Sequence, residues 1–151
     1  MVTEDQRNAG AAPVPTDTER TALLSAAHTA REHAYAPYSG FRVGAALLTA
    51  EGAIVGGCNV ENISYGLTNC AERTAIFAAR AAGQLGAPHD GPQLVAIAIV
   101  ADSAGPPTPC GACRQVLAEF ARDCTIICAN LRGDTLTTTL GALLPHAFGP
   151  W

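Results

Sequence analysis

Two short segments of the chain carry sulfur and carboxylate side chains at spacings that suit metal chemistry. The first, "NCAE", supplies Cys70 and, two residues later, Glu72. The second, "PCGAC", supplies Cys110 and Cys113, whose spacing lets two sulfurs reach one ion. A catalytic zinc site has three protein ligands, because its fourth position stays open for water. The three cysteines are therefore predicted to hold one Zn²⁺ per chain.

The carboxylate of Glu72 is held close to the predicted metal without needing to bind it. A carboxylate in that place can take a proton from water and return it as an acid. Three thiolates around a divalent cation leave net negative charge, and the positive amino ends of two helices would lower that cost. Arg73 is expected to neutralise more of the charge by hydrogen-bonding to a thiolate.

Two other interpretations of these segments stay open. A single C-x-x-C pair is a weak signal, and "CGAC" at the start of a helix also resembles a thioredoxin-like redox pair. A structural zinc site would need a fourth ligand, and none of the four histidines has ligand-like spacing. Cys124 and Cys128 are expected to be buried thiols, because four residues of strand separate them by ~13 Å. Cys58 is expected to be buried in the same way.

Hydrophobic spacing and chain breakers predict the elements that position these residues. The predicted helices cover about 18–35 (ended by Pro37), 70–82 (closed by Gly83) and 110–121 (capped by Thr108), with a short helical turn near the end of the chain. The predicted strands are two within 41–60 around a turn at Glu51-Gly52, then 94–101 and 125–130, with 135–138 as one further candidate. Residues 1–17 are expected to form a flexible tail, and 18–151 a single α/β domain with helices on both faces of one sheet.

Composition excludes several classes of protein. The net charge is −4 with no basic cluster, which makes nucleic acid an unsuitable partner. The chain contains no lysine, so it has neither the amine of a Schiff-base or pyridoxal enzyme nor a phosphate-binding loop ending in Gly-Lys. Its longest apolar run, "LVAIAIVA", is too short to cross a bilayer, and no membrane association is expected. With no recognisable secretory signal, the protein is expected in the cytoplasm.

Four blocks in order identify a family resemblance: "FRVGAAL", "NVENISYGLTNCAERTA", "PCGACRQVLAEF" and "LLPHAFGP". Together they resemble the small, homotetrameric, three-cysteine cytidine deaminases. The order Cys-x-Glu followed by Pro-Cys-x-x-Cys matches the known sequence pattern of zinc deaminases. The resemblance implies a three-layer fold with a mixed sheet of about five strands. It also implies zinc-dependent hydrolysis of cytidine and 2′-deoxycytidine to the uridine nucleosides and ammonia, in pyrimidine salvage. A zinc-held hydroxide would attack C4 of the base while Glu72 shuttles protons.

The same resemblance assigns the sugar end of the substrate to "NVEN". It implies that Asn59 and Glu61 hydrogen-bond the ribose 3′-hydroxyl, a task that suits a carboxylate because it accepts strongly from a hydroxyl. Since a carboxylate near the sugar repels phosphate, a free nucleoside is expected to be preferred over its monophosphate.

Further substrate contacts rest on the resemblance alone. It implies that Phe41 forms a wall beside the nucleoside and that the backbone amide of Ala71 binds the base carbonyl. Tyr65 and Phe148 would reach into the site of a neighbouring subunit, so the active sites of a homotetramer would be shared. Gln115, two residues after the last cysteine ligand, is expected to support the sulfurs.

Two alternative functions remain at this stage. A deaminase of a cytosine-bearing antibiotic of the blasticidin S type would share the same three cysteines and Glu72. A redox or structural-zinc protein would show no turnover. The intact "NVEN" and the "AFGP" ending favour the nucleoside.

Overall fold

The computed structural model describes residues 11–86 and 93–149, which form one five-stranded sheet with helices on both faces. The helices are α1 (Asp17–Arg31), α2 (Ala71–Ala81), α3 (Gly111–Phe120) and α4 (Leu140–Leu143), and the strands are β1 (Val43–Thr49), β2 (Ile54–Cys58), β3 (Leu94–Ala101), β4 (Thr125–Asn130) and β5 (Thr135–Thr139). Within these residues no helix combines the length and the apolarity that a membrane span requires. Most of the predicted tail, residues 1–10, lies outside the described part of the chain.

The sheet is mixed, as predicted, with the strand order β2-β1-β3-β4-β5. Only β3 and β4 run parallel among these neighbours, with Ile97 opposite Ile126, and the other three pairs are antiparallel. Parallel neighbours need a crossover connection, and α3 lies in it. The start of α3, which carries two of the cysteines, therefore follows the carboxyl end of the central strand.

Each face of the sheet has its own hydrophobic core. Along β3 the side chains alternate, so that Ile97 and Ile99 lie in one core while Ala96, Ala98 and Val100 lie in the other. The first core also receives the buried faces of α2 and α3, and the second receives α1. The predicted arrangement of helices on both faces is confirmed.

The first helix differs from its predicted bounds at both ends. Thr16 caps it in a capping box, accepting from the amide of Glu19 while the Glu19 carboxylate accepts from the amide of Thr16. The helix ends at Arg31, although the sequence predicted an end near Tyr35. The backbone of Tyr35 instead donates to the carbonyl of Asn59, a long-range pairing that local spacing does not reveal.

The predicted turns are confirmed, and one predicted cap is wrong. Gly52 in the β1–β2 turn has φ +85°, and Gly83 after α2 has φ +72°, both in the region that favours glycine. The N-cap of α3 is Cys110 (φ −68°, ψ 166°), not Thr108. The helix therefore starts two residues later than a Thr108 cap would require. Cys110 occupies the N-cap position, and its sulfur makes no capping hydrogen bond.

Candidate metal centre and active site

Three cysteine sulfurs meet where the amino ends of α2 and α3 converge. Cys70 is the N-cap of α2, Cys110 is the N-cap of α3, and Cys113 lies in the first turn of α3. The Cys70 and Cys110 sulfurs are 3.9 Å apart, and the Cys110 and Cys113 sulfurs are 3.5 Å apart. All three thiols are free of disulfides. In the described ranges they form the one cluster of this kind, with ligand atoms all within 4.8 Å of one another.

The sulfur spacing fits a tetrahedral ion. A zinc–sulfur bond of ~2.3 Å at tetrahedral angles separates neighbouring sulfurs by about 3.8 Å. The two observed sulfur–sulfur separations, 3.9 and 3.5 Å, lie on either side of that value. A soft donor set of thiolates also suits zinc better than magnesium or calcium. The residues present therefore fit three of the four positions around a zinc ion.

Local electrostatics stabilise negative charge on these sulfurs. A hydrogen bond from the Cys113 thiol, followed by the contact of Arg73, lowers the pKa of Cys70 to about 5. The guanidinium Nη2 of Arg73 lies 3.3 Å from the Cys70 sulfur. The pKa of the Cys113 thiol is raised by the same hydrogen bond and by burial. The Arg73 guanidinium thus favours the thiolate form of Cys70, and binding of a metal ion to the cluster would release protons from its thiols.

Glu72 is a nearly buried carboxyl beside the sulfurs. Its side chain is only 5% exposed. Burial, and then the negative charge of Cys70, raise the pKa of Glu72 to about 7. A group that is poised between its two protonation states can both accept and give a proton near neutral pH.

A cavity of about 280 Å³ brings the predicted residues together. Its walls include Glu72, two of the sulfur-bearing residues and four of the predicted substrate contacts: Phe41, Asn59, Glu61, Cys70, Ala71, Glu72 and Cys110. A volume of this size is near the lower end for small-molecule sites. The sulfur cluster and the "NVEN" segment thus open on the same space.

Asn59 also holds the cavity wall in place. Its side-chain Oδ1 accepts from the amide of Val43 at 2.8 Å, and its Nδ2 donates to the carbonyl of Phe41 at 2.8 Å. One Nδ2 hydrogen is left over after these bonds, because a primary amide carries two. Asn59 can therefore fix the backbone around Phe41 and still donate to a ligand.

Glu61 is bound to the turn that leads to Phe41. Its Oε2 accepts from the amides of Tyr38 at 2.8 Å and Ser39 at 3.2 Å, and its Oε1 accepts from the Ser39 hydroxyl. The Ser39 hydroxyl bond, more than the two amides, lowers the pKa of Glu61, so the group stays ionised. The Ser39 hydroxyl in turn accepts from the amide of Phe41 at 3.0 Å.

Ser39 is a cavity residue that the sequence interpretation missed. It links the carboxylate of Glu61 to the backbone of Phe41, and it lines the cavity itself. The available signal was the segment "YSGF", where a hydroxyl residue precedes a glycine that adopts φ +69° at position 40.

Three predicted residues lie away from the cavity walls. Tyr65 is 74% exposed and packs edge-on against Tyr38, with ring centroids 5.9 Å apart, and Phe148 is 88% exposed. The Gln115 amide donates to the carbonyl of Phe148 at 2.8 Å. This bond ties Gln115 to the carboxyl-terminal segment, and its support of the sulfurs stays a prediction.

A second and larger cleft, of about 500 Å³, lies between α1 and β2. Its walls include His33 and Cys58 but none of the three clustered sulfurs. Cys58 is partly exposed there, which corrects the expectation that it is buried. Cys124 and Cys128 are buried as predicted, and desolvation raises the pKa of each thiol to about 12.

The fold and the sulfur cluster define a zinc-binding α/β domain, and comparison with known families places it further. The sequence model described as the cytidine and deoxycytidylate deaminase zinc-binding region matches residues 17–129. The chain belongs to this family. The family resemblance drawn from the four sequence blocks is thereby confirmed.

Individual relatives agree with the family assignment. The chain is 51% identical to a cytidine deaminase of Halalkalibacterium halodurans over 86% of this chain and 94% of that protein. The solved cytidine deaminase of Burkholderia pseudomallei superposes with a TM-score of 0.78 at 53% identity, covering 85% of this chain and 98% of that one. A blasticidin-S deaminase of Bacillus cereus is more distant, at 32% identity over 68% of this chain and 74% of that protein.

Proposed function

We propose that this chain is a zinc-dependent hydrolase that converts cytidine and 2′-deoxycytidine to uridine and 2′-deoxyuridine with release of ammonia. One observation carries the proposal: two of the three clustered cysteines, the buried Glu72, and Asn59 and Glu61 of "NVEN" line a single cavity. The high identity to cytidine deaminases over most of both chains supports the choice of substrate. The lower identity to a blasticidin-S deaminase makes that antibiotic the weaker candidate.

The sulfurs and Glu72 have separate tasks in this proposal. Cys70, Cys110 and Cys113 hold one zinc ion per chain. When bound, that ion supplies the acidity that makes water a nucleophile at neutral pH. The Glu72 carboxylate accepts the proton of the attacking water and delivers it to ring N3, which makes C4 electrophilic. Glu72 then takes the remaining proton from the hydroxyl added at C4 and gives it to the amino group, so that ammonia leaves as the C4 carbonyl forms.

The remaining cavity residues orient the nucleoside. Asn59 and Glu61 bind the sugar 3′-hydroxyl, Phe41 packs beside the nucleoside, and the Ala71 amide donates to the base carbonyl. The amide of Ala71 suits this task, because the first amides of a helix have no acceptor within the helix. The leftover hydrogen of Asn59 and the free lone pair on Oε1 of Glu61 supply one donor and one acceptor for a hydroxyl.

The active form is proposed to be a homotetramer in which Tyr65 and Phe148 complete the site of another copy. Both rings are largely exposed in the single chain, and so are the nearby Ile63 and Leu67. A cluster of exposed apolar side chains is typical of a surface that another chain covers. The reaction would return cytosine nucleosides to the uridine pool in the cytoplasm, as pyrimidine salvage requires.

A direct assay tests the function. Purified protein is expected to contain one zinc per chain and to decrease the ultraviolet absorbance of cytidine as uridine and ammonia appear. Blasticidin S serves as the parallel substrate, and it is expected to react far more slowly. Turnover of blasticidin S alone would identify the antibiotic as the substrate. Turnover of neither compound would indicate a redox or structural-zinc protein.

The charge of Glu61 predicts discrimination against nucleotides. Among the described residues that line the cavity, none is Arg or Lys, so a phosphate would meet the Glu61 carboxylate without compensation. We expect kcat/KM for cytidine to exceed that for CMP by at least ~10-fold, the ratio that about 1.4 kcal/mol of repulsion gives. Glu61→Gln is expected to lower cytidine turnover and to reduce the ratio of kcat/KM for cytidine to kcat/KM for CMP. Equal rates for the two substrates with the unmodified protein would contradict the prediction.

A further inference from the structure

Gly57 lies where the backbone of α2 rests directly on the sheet. It is a buried residue of β2, paired with Ala45 of β1. A Cβ atom added at Gly57 would lie 2.3 Å from the amide nitrogen of Ala75 and 2.7 Å from the carbonyl oxygen of Ala71. Real Cβ atoms essentially never come within 3.0 Å of other atoms. Any side chain at this position would therefore push α2 away from the sheet.

The atoms that a side chain would strike belong to the first turn of α2. The carbonyl of Ala71 and the amide of Ala75 are the pair that an α-helix joins by a hydrogen bond. The same turn follows the sulfur of Cys70 and carries the carboxyl of Glu72. The contact at Gly57 thus fixes how far Cys70 and the Glu72 carboxyl lie from the sheet. The other two cysteines, Cys110 and Cys113, lie at the start of α3.

We infer that Gly57 is a positioning residue for the three-sulfur site: its missing side chain sets where α2 presents Cys70 and Glu72 to the cysteines of α3. This inference rests on the proposed zinc-dependent function. The sulfur separation between the two helices, 3.9 Å from Cys70 to Cys110, leaves little room for displacement. Misplacing reacting groups by ~1 Å can cost ~100-fold in rate, so a shift of α2 should affect chemistry more than substrate binding.

The chain offers a matched control on the opposite face of the sheet. A Cβ atom at Gly44 would lie 2.0 Å from the carbonyl of Ala27 and 2.5 Å from the amide of Arg31, the same kind of backbone pair in α1. α1 carries none of the candidate site residues. Gly44→Ala therefore imposes a comparable clash while sparing the sulfur cluster.

The test compares Gly57→Ala, Gly44→Ala and the unmodified protein as full-length, zinc-loaded chains. Both variants are expected to unfold at lower temperature. Only Gly57→Ala is expected to release zinc to a chelator at least ~10-fold faster. The reason is that groups supporting the ligands of a metal typically contribute ~10- to 100-fold to its affinity. It should also lower kcat for cytidine by at least ~10-fold with KM within ~3-fold, whereas Gly44→Ala should stay within ~2-fold of the unmodified chain in all three values.

Two results would overturn the inference. One is that zinc release and kcat change equally in both variants, or in neither. The other is that Gly57→Ala does not fold, which would assign the glycine to folding. Absence of zinc and turnover in the unmodified protein would instead reject the proposed function, so the two failures are distinguishable.

Discussion

Replacing Glu72 by glutamine is expected to leave zinc bound and to lower kcat for cytidine by about 10⁴-fold, the upper end of the usual range for a general acid–base group. A large effect is expected because, in the proposed mechanism, the same carboxyl carries protons in successive steps, to the ring and to the leaving amine. Glutamine has nearly the same shape in the buried position of Glu72 but cannot exchange a proton. Steady-state kinetics and metal content per chain measure the two parts of the prediction.

The matched control for this change is Glu119→Gln. Glu119 is an exposed glutamate of α3, so the same chemical substitution is made on the same domain without reaching the cavity. Its kcat is expected to stay within ~2-fold of the unmodified protein, as surface substitutions usually have small effects. If Glu72→Gln retained a substantial part of the turnover, Glu72 would not be the proton carrier.

Replacing Cys113 by alanine is expected to abolish both zinc binding and turnover. Cys113 is fully buried between the other two sulfurs and the core, so no solvent-exposed group can take its place. Losing one of three protein ligands should weaken zinc binding by more than the ~10- to 100-fold cost of losing a supporting hydrogen bond. Zinc content after dialysis against a weak chelator and cytidine turnover report the result.

Cys124→Ala separates loss of the metal from loss of a buried thiol. Cys124 is equally buried, but it belongs to the core beneath α2 and α3 and not to the cluster. This variant should lose thermal stability, because a cavity replaces its sulfur, and should keep its zinc and its kcat. A zinc-loaded and active Cys113→Ala protein would exclude Cys113 as a ligand.

Local sequence patterns predicted those parts of the fold that depend on neighbours in the chain. The apolar run "LVAIAIVA" predicted β3 with its observed bounds, because a short apolar run between loops rich in Gly and Pro is typical of a strand buried on both faces. The glycines at the β1–β2 turn and after α2 have the positive φ angles that their positions required. The cysteine spacing in "CGAC" likewise predicted a close pair of sulfurs, now 3.5 Å apart.

What the sequence did not reveal depends on contacts between distant segments. α1 ends at Arg31 because the backbone of Tyr35 pairs with the segment around Asn59, 24 residues later by their numbers. Gln115 donates to Phe148 because the end of the chain returns to α3, a contact that local spacing does not reveal. The approach of Cys70 to Cys110 depends on the packing of two helices on one sheet, so only the ligand count of a catalytic zinc site and the family resemblance predicted it.

The two cores on either side of the sheet have an unequal relation to catalysis. The side that holds α1 has its own hydrophobic core and contains none of the candidate site residues. An engineer who wants a longer-lived catalyst can therefore redesign that layer for heat resistance, while the opposite layer keeps the geometry that turnover demands.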